Sequence, residues 1–80
     1  MDKGVERCVV TFGSTMGAMA MEEACQKAGV PGRLIPVPRS ISAGCGMCWA
    51  APMEAREAVE ELLLREKLNT DGIYTVQFPR

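Results

Sequence analysis

Two stretches of this chain repeat apolar residues at helical spacing, and short runs suited to strands lie on either side of each. Ala18, Met21, Cys25 and Ala28 form one such stripe, and Ala55, Ala58, Val59, Leu62 and Leu63 form the other. The run Glu6 to Phe12 is rich in β-branched residues and stops at Gly13, which reads as a strand. Ser14 or Thr15 then supplies a hydroxyl to cap the first helix, predicted over 15–28, and Gly29 ends it. Arg33 to Val37 reads as a second strand, weakened by Pro36 and Pro38 because proline cannot donate to the ladder. It is therefore expected at an edge, or to end early. Residues 39–46 read as a loop and Met47 to Ala51 as a short third strand. Pro52 suits the start of a second helix, predicted over 53–68. Glu54, Glu57, Glu60 and Glu61 are expected on its wet face, with Glu61 one turn from Arg65. Asn69 to Gly72 makes the last turn before an alternating strand from Ile73 to Phe78.

The order is β-α-β-β-α-β. It predicts an α+β fold of the ferredoxin-like split βαβ type, with a four-stranded antiparallel sheet and two helices on one face. The other face is expected to be open and available for pairing with a second copy. Eighty residues make a single domain spanning 1–80. A chain of this size buries only about 60–65% of its unfolded surface, so the core is thin and a deep pocket would need a partner subunit.

Nine basic residues nearly cancel ten acidic ones, and only four aromatics are present. That is neither the basic stripe nor the stacking platform that nucleic acid requires. No apolar run approaches the ~18 residues of a membrane span. The opening Met-Asp-Lys-Gly-Val-Glu-Arg is too charged for a signal peptide, so the expected compartment is the cytoplasm.

In a reducing cytosol, the four cysteines read as buried thiols, metal ligands or reactive groups rather than as two bridges. Cys8 lies mid-strand and Cys25 on a helical stripe, which suits small buried hydrophobes. Cys45 and Cys48 differ, because they are paired in a glycine-bearing loop. Gly44 and Gly46 flank Cys45, leaving its sulfur uncrowded and its neighbouring amides free to turn toward it. Those amides and the nearby cation Arg39 would favour the thiolate, the reactive form. The plainer alternative is a tight hairpin whose glycines serve only the turn.

A Cys-x-x-Cys pair supports a dithiol–disulfide switch, half a metal site, or a nucleophile with a resolving neighbour. The chain has no histidine, and Cys8 and Cys25 could complete a zinc site only by leaving the core, so no metal is assigned. Trp49 reads either as core packing or as a wall that shields a reactive sulfur. Met16, Met19, Met21, Met47 and Met53 read as core filling.

Several segments carry a family resemblance. They are Val-Val-Thr-Phe-Gly-Ser-Thr (9–15), Ala-Met-Ala-Met-Glu (18–22), Pro-Gly-Arg-Leu-Ile-Pro-Val-Pro-Arg (31–39) and Ile-Ser-Ala-Gly-Cys-Gly (41–46). From about Arg7 to Val76 the chain resembles the small bacterial selenium/sulfur carrier protein-like family. The resemblance implies that Cys45 is the working residue, with Pro38, Arg39, Ser42, Gly44 and Gly46 shaping its loop. It implies a carrier rather than a stand-alone enzyme. Cys45 would take a sulfur or selenium atom from a donor of the cysteine desulfurase or selenocysteine lyase type and pass it to an acceptor protein, with no cofactor. Cys48 and Trp49 stand where that family more usually has aliphatic residues. Two other readings remain beside the carrier: a redox switch built on Cys45 and Cys48, and a dimeric module that binds a metal or small ligand.

Overall fold

The structure, a computed structural model, describes residues 5–39, 41 and 46–78. Its elements run β1 (Val5–Thr11), α1 (Thr15–Ala28), β2 (Arg33–Pro36), β3 (Met47–Pro52), a single 3₁₀ turn (Met53–Ala55), α2 (Arg56–Arg65) and β4 (Gly72–Phe78). The strands form one sheet in the order β2-β3-β1-β4, with every neighbouring pair antiparallel. This is the predicted α+β, ferredoxin-like arrangement. Proline-terminated β2 lies at the sheet edge, where a missing N–H costs no ladder bond.

Ser14 caps α1, its side-chain oxygen accepting from the Gly17 amide at 3.3 Å. At the other end, the Val30 amide donates to the Cys25 carbonyl at 2.9 Å and closes the helix at Gly29. Both helices pack on one side of the sheet. Ala18, Met21 and Cys25 of α1 join Val59, Leu62 and Leu63 of α2 over Cys8, Val10, Trp49 and Ala51. Arg56 ties α2 to the sheet, donating to Glu60 in its own helix and to Thr75 of β4, both at 3.0 Å. Glu61 pairs with Arg65 on the wet face, as the spacing predicts, at 3.8 Å. No helix among the described residues is long and apolar enough to cross a membrane.

Three expectations are corrected. The second helix is shorter than 53–68, because a 3₁₀ turn precedes α2 and the chain leaves it after Arg65. Met16 and Met19 are 80% and 60% exposed, so neither fills the core. They lie off the Ala18–Met21–Cys25 stripe, and Ala28 and Ala58 are likewise on wet faces. The third correction concerns the helix-free face of the sheet, which is only partly open. There Val9, Cys48 and Ala50 are buried, with Val37 and Ile41 packed against them beside Ile35, Val76 and Phe78.

Candidate functional site: the segment between β2 and β3

The pairing of β2 with β3 continues one step beyond the strands, where the Val37 amide donates to the Gly46 carbonyl at 3.1 Å. The bond closes the base of the segment that carries the predicted working loop. Gly46 holds φ at +76°, a left-handed conformation that side-chain-bearing residues adopt at a cost. On the other arm, the Ile41 amide donates to the Pro38 carbonyl at 3.0 Å, turning the chain so that Ile41 packs on the Val9–Cys48–Ala50 cluster. Val37 and Ile41 thus seat on the face away from the helices, and Gly46 is tied to Val37 by the backbone bond. Ser42, Gly44 and Cys45 lie outside the described residues. Arg39 is exposed and has no ion-pair or hydrogen-bond partner among the described residues.

The other three cysteines are all 0% exposed. Cys8 and Cys25 lie in the core beneath the helices, as expected of small buried hydrophobes. Burial pushes the Cys25 thiol up to about 11 from an ordinary 9.0. Burial also raises Cys8; the Arg56 charge opposes the rise and the Glu60 charge adds to it. A raised pKa and no access together make both thiols poor nucleophiles.

Cys48 lies in β3, opposite Thr11 on one side and Ile35 on the other, so its sulfur belongs to the helix-free face. Trp49, its neighbour, points the other way and is 2% exposed in the core beneath the helices. Successive strand residues face opposite sides, so the indole is core packing and walls off no sulfur on Cys48's side. Its Nε1 is buried with no hydrogen-bond partner among the described residues. Gly32 passes close over this ring, and a Cβ there would stand 2.6 Å from Nε1.

A cavity of about 570 Å³ opens on the same helix-free face. It sits toward Pro52, while Cys48 and Gly46 sit at the other end of β3. Cys48 and Pro52 are about 14 Å apart along the strand at ~3.4 Å per residue. Among the described residues, no group of three or more His, Cys, Asp or Glu side chains could hold a metal ion. Sequence reasoning missed Val37 and Ile41 as the residues that seat the loop, and Arg7 and Arg33 as charges beside the cavity. The strand alternation held the signal for both arginines, since Arg7 shares a face with Val9, and Arg33 with Ile35.

No curated protein and no solved structure matches the chain. A family model does match, over residues 7–75, and its description is "Putative Se/S carrier protein-like". That span takes in β2, β3, both helices, the whole segment between β2 and β3, and the greater part of β1 and β4. The chain belongs to this selenium/sulfur carrier protein-like family.

Proposed function

We propose that this protein carries sulfane sulfur or selenium on Cys45, between a donor of the cysteine desulfurase or selenocysteine lyase type and an acceptor protein. The observation that carries the reading is the complete burial of Cys8, Cys25 and Cys48, which leaves Cys45 as the thiol to assign to transfer. Family membership supports the same chemistry. So does the anchoring of Gly46, which fixes the chain immediately after Cys45 without placing a side chain beside it.

In loading, the Cys45 thiolate attacks the terminal sulfur of a donor persulfide. A new S–S bond forms to Cys45 as the donor's S–S bond breaks, and the donor leaves as a thiolate. Unloading is the same displacement by an acceptor thiolate, which returns Cys45 to its starting state. Selenium follows the same path through a selenosulfide. If the cluster around it opens, Cys48 offers a second exit by attacking the inner sulfur of loaded Cys45, which expels hydrosulfide and leaves a Cys45–Cys48 disulfide. A dithiol reductant must then reset the pair. The reducing cytoplasm suits a protein that works through a free thiolate.

The test is intact-mass analysis after incubation with a cysteine desulfurase and cysteine, or a selenocysteine lyase and selenocysteine. The wild type should gain the mass of one sulfur or selenium, Cys45→Ser should gain none, and Cys48→Ala should still load. Loading that survives Cys45→Ser would overturn the assignment. Loss of loading in a folded Cys48→Ala variant would favour the redox switch.

A further inference from the structure

We infer that the cavity on the helix-free face of the sheet is a binding site for a small organic oxyanion, an apolar body carrying a phosphate or carboxylate head. The inference does not rest on the chemistry of Cys45.

The cavity arises from side-chain size along three adjacent strands. β3 runs between β2 and β1 and presents only Ala50 and Pro52 at this end of the face. The flanking strands carry longer side chains at the neighbouring positions. Arg33 stands opposite Ala50, and Arg7 stands opposite Pro52 from the other side. The middle strand is thus a low floor between two higher walls. Ile35, Val5 and Phe78 make the walls apolar, and the volume of about 570 Å³ falls within the roughly 300–1,000 Å³ typical of small-molecule sites.

Among the described residues, the charges on this face are of one sign. Arg7 and Arg33 both line the cavity, and neither has an ion-pair or hydrogen-bond partner among the described residues. At the register positions of this face the four strands hold no aspartate or glutamate; Glu6 points to the helix side, while Glu57, Glu60 and Glu61 lie on α2. Across two strand spacings of ~4.8 Å and a two-residue offset, the two arginine Cα atoms lie about 12 Å apart. Side chains of that length can converge above Ala50 and Pro52. Two guanidiniums over an apolar floor are matched by an anionic head that accepts paired hydrogen bonds and a body that covers the floor.

The same charges argue against a symmetric dimer through this end of the face. A two-fold axis there would bring both arginine pairs into one apolar layer with no acid among the described residues between them.

The test is an amide-resolved NMR titration of the full chain with phenyl phosphate. Benzoate, inorganic phosphate and phenol serve as separate arms. Saturable shifts are expected at Arg7, Arg33, Ile35, Ala50 and Phe78, with inorganic phosphate and phenol both weaker. Tighter binding of phenyl phosphate than of benzoate assigns a phosphate head, and the reverse assigns a carboxylate. Arg7→Gln and Arg33→Gln should each weaken binding by about tenfold, as loss of a charged hydrogen bond does, with the remaining spectrum unchanged. The proposal is overturned by any of four results: no saturable shift on this face, affinity unchanged in the double variant, inorganic phosphate binding as well as phenyl phosphate, or a dimer in sedimentation that protects these amides. No arm requires Cys45 to be loaded, so failure here is distinct from failure of the transfer experiment.

Discussion

Cys48 and Trp49 stand back to back on β3, the sulfur within the cluster beneath Ile41 and the indole within the core beneath the helices. One strand step separates the face on which Val37 and Ile41 pack from the face that holds the fold together. Changes at Trp49 therefore act on the core beneath the helices, and changes at Cys48 act on the cluster that seats Ile41.

The close passage of Gly32 over Trp49 should make it among the least replaceable residues on the sheet edge. Gly32 has φ +144°, and a Cβ would meet the indole Nε1 at 2.6 Å and the Ala50 carbonyl at 2.7 Å. Gly32→Ala should destabilise the protein by about 2 kcal/mol or more in urea unfolding. A Cβ at Gly13 meets nothing within 4 Å, so Gly13→Ala serves as the control and should change far less. Equal effects of the two substitutions would contradict the packing described.

Alkylation should separate the four thiols. Brief treatment of the native protein with iodoacetamide, followed by peptide mapping, should label Cys45 first. Cys8, Cys25 and Cys48 are 0% exposed and react only after the structure opens, an event that costs roughly 5 kcal/mol or more if global. Their labelling should be slower by at least about a thousandfold. Early labelling of Cys25 would refute the assignment.

Stability should fall at alkaline pH through Cys25. Its folded pKa is about 11 and its ordinary value 9.0. Below pH 9.0 both folded and unfolded chains keep the proton, and the contribution is fully present. As pH rises from 9.0 toward about 11 the unfolded chain loses the proton first, so it binds fewer protons and stability declines. The limiting slope is about 1.4 kcal/mol per pH unit. Urea midpoints across that range should fall less steeply for Cys25→Ala than for the wild type, and parallel slopes would remove Cys25 as the source.

Arg39 is exposed and pairs with no described acid, so its charge is available to a thiolate in the adjoining segment. Arg39→Ala should slow alkylation of Cys45 at neutral pH by up to about tenfold, with a smaller difference in high salt. Superimposable pH–rate profiles for the two proteins would leave backbone amides as the activating groups.

The sequence determined the element order by itself. The stripes Ala18–Met21–Cys25 and Val59–Leu62–Leu63 have a period that only a helix buries, and the alternating runs have one that only a strand buries. Local chemistry also marked the ends: the Ser14 cap, the Gly29 stop and the edge position of proline-bearing β2 were all readable from short-range sterics and hydrogen bonding. Tertiary structure alone decided which groups meet across distance. That Ile41 seats the loop on Cys48, that Gly32 lies on Trp49, and that Arg7 and Arg33 share a cavity across β3 all depend on strand register. A slip of one residue would send each side chain to the opposite face, and no local propensity specifies the register between segments this far apart in the chain.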